Sequence, residues 1–250
     1  MKKRIAIITG ASSGLGAECA RQIDGDCDEI YLLARRKERL DELAQSLDTP
    51  AKTIAIDLSY KAERETILQE ILREIDRGAE LSHLILAAGF GRVGYLGDEA
   101  EAAEAMIELN ITALTHFTAT LIPHCRGICL LFASVAAFTP QPNFAVYAAS
   151  KAYVLSLSRA LKMEYPDAHV LAVCPNPVET EFFNHTKGGE SAIKKIGIEK
   201  KEHVVASALR KAKRGRSISL SCFWSKSIHV ASKIFPTQWI LTVSHWLGIY

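Results

Sequence analysis

The chain lacks several features that would settle its class at once. Its 250 residues include six cysteines, Cys19, Cys27, Cys125, Cys129, Cys174 and Cys222, but no CxxC pair. A disulfide-stapled scaffold is therefore not expected, and the thiols read as reduced and mostly buried in an intracellular protein. His124, Cys125 and Cys129 lie close together, but structural zinc needs four ligands and the sequence offers no second cluster, so no metal is expected. A dominant charge sign is missing too: 30 basic residues stand against 28 acidic ones, leaving no overall field to attract nucleic acid. No run of about 18 apolar residues occurs, which argues against a spanning helix. The opening MKKRIAIITG joins basic residues to an apolar run that stops at Thr9-Gly10, too short for a secretory leader. The expected location is the cytoplasm.

What is present is a repeating alternation. Apolar runs at 4–9, 29–34, 53–58, 83–88, 128–134, 169–175 and 217–222 are nearly continuous in hydrophobicity. Such runs mark strands covered on both faces, as in a parallel sheet. Between them lie patterns such as KERLDELAQSL (37–47) and AERETILQEILREID (62–76), with apolar residues at helical spacing. Strand and helix in regular turn predict an α/β fold, a doubly wound parallel sheet of about seven strands with helices on both faces. No Pro/Ser/Gly-rich linker divides the chain, so residues 1–250 are expected to form one domain, with 218–250 as a distinct apolar C-terminal segment.

The first strand runs into TGASSGLG, with glycines at 10, 14 and 16, and a helix pattern follows. Glycine lets backbone N–H groups approach a ligand closely, and the helix start offers free N–H groups to a pyrophosphate. Gly10, Ser12, Ser13, Gly14, Leu15 and Gly16 are thus candidates for a dinucleotide cradle. At the end of the second strand, an acidic residue would favour NAD by bonding the ribose 2′-hydroxyl. Here Ala34 is followed by Arg35 and Arg36, whose guanidinium groups suit the 2′-phosphate of NADP.

VYAASKAYVLSLSRAL (146–161) reads as a helix without Gly or Pro. It sets Tyr147 and Lys151 at i and i+4, on one face. A free phenol titrates near ~10. A cation about 4 Å away at an effective dielectric of ~20 contributes roughly 4 kcal/mol. That interaction would draw the phenol's pKa down by up to about 3, within reach of neutrality.

Together these motifs resemble the short-chain dehydrogenase/reductase family over residues 4 to 216. TGASSGLG matches its cofactor turn, and Asp57-Leu58 the acidic position that contacts adenine. AAG (87–89) is similar to the family's NAG, with Ala87 in place of Asn. Asn110, Ser134, Tyr147 and Lys151 match the catalytic tetrad, with Ser134 thirteen residues before Tyr147. PNPVET (175–180) resembles PGPVxT, with Asn176 replacing Gly. The resemblance implies that Ala88, Gly89 and Pro175 join the cofactor contacts, and that Val178 and Thr180 hold the nicotinamide carboxamide. It implies that Tyr147 exchanges the proton, that Ser134 orients the carbonyl, that Lys151 also grips the ribose, and that Asn110 holds a relaying water. Ala87 is expected to leave the central sheet less braced. Asn176 is expected to tolerate an unusual backbone conformation.

From His203 to Tyr250 there is no Asp or Glu, seven cations occur, and all three tryptophans, Trp224, Trp239 and Trp246, fall here. Pro236 divides the apolar part into two short helical stretches. The segment suits a flap over the substrate, an oligomer contact, a membrane-surface element, or docking of an anionic carrier or coenzyme A thioester on the cations of 210–216. Phe90, Tyr95, Phe182 and Phe183 suit an apolar pocket wall or ordinary packing.

The expected activity is NADPH-dependent reduction of a carbonyl, or the reverse oxidation. The substrate would be a small molecule, a lipophilic ketone or a 3-oxoacyl thioester, without nucleic acid as partner. By analogy with the family, a homodimer or homotetramer would form through helices near 98–122 and 147–163. The alternatives are a non-catalytic NADP-binding regulator and a membrane-recruited lipid-binding module.

Overall fold

In a computed structural model, residues 2–179 and 198–246 are described. Seven parallel strands form one sheet: β1 (Arg4–Thr9), β2 (Glu29–Ala34), β3 (Ala51–Ala55), β4 (Glu80–Leu86), β5 (Cys125–Phe132), β6 (His169–Val173) and the short β7 (Ile218–Ser219). Their order is β3-β2-β1-β4-β5-β6-β7. The chain therefore reverses its direction of travel between β1 and β4, and a crevice opens there beyond the carboxyl ends of the strands.

Successive side chains of a strand point to opposite faces. Ile5 and Ile7 of β1 pack with α3 (Lys61–Asp76), α5 (Leu114–Leu121) and α6 (Ala145–Glu164), reached through Ile71, Phe117 and Val154. Ala6 and Ile8 pack on the other face with α1 (Gly14–Gln22), α2 (Lys37–Gln45) and α7 (Lys201–Lys213), reached through Ala20, Leu40 and Val205. Two covered faces explain why the strand sequences read as unbroken apolar runs.

Several boundaries move. The run read as 53–58 forms a strand only over Ala51–Ala55, so Asp57 and Leu58 lie beyond its end in a turn. The helical run from Ala100 to His124 is long and apolar enough to cross a membrane by length and composition. It instead lies against the sheet, with Phe117, Leu121 and Ile122 buried. It comprises α4 (Ala100–Ile107), a widened π-helical turn (Glu108–Ala113), α5 and a 3₁₀ turn (Ile122–His124). At the C-terminal end, α8 (Phe223–Ile234) and α9 (Thr237–Trp246) flank Pro236, as the sequence predicts.

Arg64 of α3 is buried. It donates to the carbonyls of Leu58 (2.6 Å) and Ser59 (3.1 Å), and to Glu108 Oε1 at 2.6 Å in the π-helical turn. One guanidinium thus ties the loop after β3 to the start of that turn.

His83 of β4 is buried with its Nδ1 3.0 Å from Ser82 Oγ. Burial lowers its pKa to about 4 from 6.5. Between those values the unfolded chain binds the proton and the folded chain does not, so stability falls as pH drops from 6.5 toward 4. The expected loss is ~3 kcal/mol at its fullest. Ser82 Oγ also donates to the Ile5 carbonyl at 3.0 Å, so His83→Leu leaves that serine bonded. Urea unfolding across this pH window is expected to give a flatter acid slope for His83→Leu than for the parent chain.

Candidate active site

The crevice at the β1/β4 switch is a cleft of about 1350 Å³, large enough for a dinucleotide and a substrate together. Its floor at one end is the turn after β1. Gly10 has φ +68°, and a Cβ there would fall 2.8 Å from the Ala88 amide nitrogen. At Gly16 a Cβ would fall 2.4 Å from the Gly10 carbonyl oxygen. The turn therefore closes only without side chains, which leaves the backbone of Gly10, Ser12, Ser13, Gly14 and Leu15 along the cleft at the start of α1. This cradle fits a pyrophosphate.

Arg35 and Arg36 leave β2 at the same end. Arg36 donates through Nε and Nη2 to Ser12 Oγ, each at 3.3 Å, so a guanidinium braces the phosphate turn. Asp57 and Leu58 line the cleft beyond β3, and Asp57 Oδ1 accepts from the Ser59 amide at 2.9 Å. Ala88 and Gly89 line it beyond β4. The Ala88 amide donates to Thr9 Oγ1 at 3.2 Å, so a hydroxyl on β1 links the two central strands where Ala87 carries no polar side chain.

The other end of the cleft is lined by Ser134, Tyr147 and Lys151, with buried Asn110 behind them. Ser134 follows β5 and caps the 3₁₀ turn Val135–Phe138, its Oγ accepting from the Ala136 amide at 3.1 Å. Tyr147, Lys151, Val154, Ser158 and Leu161 share the buried face of α6, which Ala and Leu favour and which ends before Pro166. Ser134 and the Tyr147 phenol are joined by a side-chain hydrogen bond. Lys151 Nζ lies 5.6 Å from the centre of the Tyr147 ring and donates to the Phe132 carbonyl at 2.9 Å. Asn110 sits in the π-helical turn. Its Oδ1 accepts from the Phe90 amide at 3.1 Å, and its Nδ2 donates to the Phe90 carbonyl at 2.9 Å and to Ser150 Oγ at 3.2 Å. A Cβ on Gly89 would fall 2.8 Å from Asn110 Oδ1 and 3.4 Å from Lys151 Nζ, so only glycine fits between them.

Pro175 and Val178 complete the wall, and Thr180 lies outside the described residues. Among the described residues only Asn143 has a positive φ without being glycine, so Asn176 keeps an ordinary backbone, contrary to expectation. Its side chain serves a different end, Nδ2 donating to Cys222 Sγ at 3.2 Å, while its backbone N–H, which glycine would also offer, donates to Glu199 Oε1 at 2.9 Å. Phe90 lines the cleft, Tyr95 is exposed and does not, and Phe182 and Phe183 lie outside the described residues.

A model of the short chain dehydrogenase family matches residues 4–190. The chain belongs to the short-chain dehydrogenase family. An uncharacterized oxidoreductase of Staphylococcus epidermidis is 30% identical over 197 residues, covering 76% of this chain and 84% of that protein. The very-long-chain 3-oxoacyl-CoA reductase of Kluyveromyces lactis is 32% identical over 179 residues, 65% of this chain and 51% of that protein. A solved short-chain dehydrogenase from Sphingobium yanoikuyae in complex with NADPH is 27% identical, with a TM-score of 0.76 over 99% of this chain and 94% of that one. This dehydrogenase is thus an oxidoreductase of a family that uses nicotinamide dinucleotides.

One expectation fails. Burial pushes the Tyr147 phenol up to about 12, with the Ser134 hydrogen bond opposing and Cys174 adding to the rise. Burial also brings the Lys151 ammonium down to about 8. In a partly hydrated medium the cation alone would have set the direction. In the dehydrogenase both groups are buried in the cleft wall, and burial is the largest influence on each. Sequence reasoning also missed the residues behind the pair. Cys174 is buried beside them and accepts from the Ser134 amide, and Phe144 stacks on Tyr147 with ring centres 4.2 Å apart. Of the groups around the tetrad, the Phe132 and Phe90 carbonyls carry no sequence signal at all, because every residue has one.

A buried ammonium opposes folding. Folded Lys151 loses its proton near pH 8, against its ordinary 10.5, so between these values the unfolded chain holds more proton and stability rises with pH. Lys151→Met is therefore expected to be more stable than the parent at neutral pH. That advantage should shrink as pH climbs from about 8 toward 10.5, as read by denaturant unfolding across the window.

Proposed function

We propose that this dehydrogenase reduces a carbonyl with NADPH. The observation that carries the reading is that one cleft is lined by the glycine turn and paired arginines at one end and by Ser134, Tyr147 and Lys151 at the other, with Asn110 buried behind them on Ser150. Bound NADPH would supply a hydride to the carbonyl carbon. Arg35 and Arg36 supply cations where a 2′-phosphate would lie, and no carboxylate takes the end of β2 to hold a free 2′-hydroxyl.

The chain's own part is orientation and proton transfer. A phenol whose pKa is raised to about 12 is fully protonated at neutral pH, which suits a donor to the carbonyl oxygen in the reductive direction. Ser134, hydrogen-bonded to that phenol, is placed to hold the same oxygen. Lys151, anchored on the Phe132 carbonyl, keeps its cation within reach of the phenolate left behind. Asn110, bonded to both sides of Phe90, fixes the strand-end segment that packs between it and Lys151.

For the substrate, Phe90, Val93, Pro142 and Phe144 give the cleft apolar walls, while Asp98 and Glu101 stand at its exposed margin. The carboxylates oppose a phosphate-rich carrier, so a lipophilic ketone is the first candidate. The resemblance to the 3-oxoacyl-CoA reductase keeps 3-oxoacyl thioesters in the panel. The six unpaired thiols suit a reducing, cytoplasmic setting. Pairing of copies through the α4–α5 run and α6 is part of this reading by family analogy.

NADPH oxidation against a panel of ketones and 3-oxoacyl thioesters tests the activity. Tyr147→Phe is expected to keep NADPH affinity and lose at least ~100-fold in turnover. Full turnover by this variant would refute the assigned role. Arg35→Asp is expected to shift the affinity ratio toward NAD by ~10-fold or more, since a charge-assisted phosphate contact is replaced by repulsion. Titration of both cofactors against the variant gives that ratio.

A further inference from the structure

The C-terminal helices turn their apolar side chains outward. Phe223, Trp224, Val230, Ile234, Phe235, Trp239, Val243 and Trp246 are each 51–88% exposed. On α8, Phe223, Val230 and Ile234 fall at helical spacing on one face, while Ser225 and His229 face inward, with the His229 ring 4.6 Å from Phe138. On α9, Trp239, Val243 and Trp246 fall at i, i+4 and i+7, again on one face. Exposed Phe235 and Pro236 join the two stripes along the chain. A soluble helix normally buries such a stripe.

The charge around the stripes has one sign. Lys226 and Lys233 are exposed on α8, each one helical turn from a member of the apolar stripe. Lys226 also lies near Lys211, so the basic end of α7, with exposed Arg210, Arg214 and Arg216, extends the same field. From His203 onward the sequence contains no carboxylate.

This combination decides between occupants. A second copy docking by two-fold symmetry would set the patch against itself. Its lysines would then meet only the same patch, which has no acid to pair them. A neutral apolar partner would leave the cations without use. An anionic bilayer surface answers both features, taking the apolar stripes into its interface and the cations onto its headgroups. We propose that α8 and α9 dock this dehydrogenase in the plane of an anionic lipid surface, with Phe223, Trp239 and Trp246 inserted and Lys226 and Lys233 on the headgroups.

The inference stands apart from the proposed reaction. It nevertheless bears on it, because α8 rests through His229 on the 3₁₀ turn that Ser134 caps. A docked protein would hold that turn close to a pool of lipophilic substrate.

All three tryptophans of the chain lie in this segment, so emission from selectively excited tryptophan reports on it alone. The full-length protein is mixed with phosphatidylcholine vesicles, with and without phosphatidylglycerol, and followed by emission wavelength and co-sedimentation. The expected result is a blue shift and pelleting with the anionic vesicles only, reversed by salt. Lys226→Ala/Lys233→Ala should weaken partition by at least about tenfold. Trp239→Ser/Trp246→Ser should weaken it comparably, while NADPH binding by both variants stays unchanged as a check on folding. Absence of pelleting with anionic vesicles, or equal pelleting with neutral ones, overturns the proposal. So does a concentration-dependent dimer by light scattering that Trp239→Ser/Trp246→Ser abolishes while vesicles have no effect.

Discussion

A single ammonium group, buried in the wall of the cleft, sets the terms for the rest of the site. Lys151 is held there by the Phe132 carbonyl, the last residue of a central strand, and by its place on the inner face of a long core helix. Hydrophobic packing on both sides of the sheet keeps that helix in place against a group that would rather be hydrated. The fold's stability is thereby partly committed to holding a charge in position, a trade of stability for readiness that is common at reactive sites. The phenol above it shares the enclosure, and both therefore titrate away from their values in water.

Much of this could be read from the residues. The continuous apolar runs located all seven strands, because a sheet covered on both faces leaves no polar alternation to confuse the pattern. The glycine turn was legible because a Cβ at Gly16 or Gly10 would fall 2.4 or 2.8 Å from backbone, leaving no room for a side chain. The i, i+4 spacing of Tyr147 and Lys151 brought them to one face in fact as on paper. What escaped notice had a physical reason. Strand ends such as that of β3 are set by the sheet partners, so Asp57 and Leu58 looked like strand. The direction of the pKa shifts depends on how completely water is removed, which no local pattern encodes. The replacement of glycine by Asn176 looked like a matter of backbone tolerance, yet its side chain reaches Cys222, 46 residues onward.

The Asn176–Cys222 contact is informative about the architecture. Cys222 also caps α8, accepting from the Ser225 amide at 3.4 Å. The loop that borders the Tyr147 end of the cleft and the helix that carries the outward apolar face therefore meet at one sulfur. Two regions that look unrelated in sequence, a family motif and an irregular tail, are neighbours with a shared anchor.

Arg64 adds a different kind of constraint. By donating from one nitrogen, Nη1, to the Leu58 and Ser59 carbonyls and to Glu108, it couples the loop after β3 to the helix turn that bears Asn110. The two ends of a long, multi-part ligand would then be received by a single mechanical unit. In such a scaffold, slack in the loop after β3 is passed to the turn that carries Asn110.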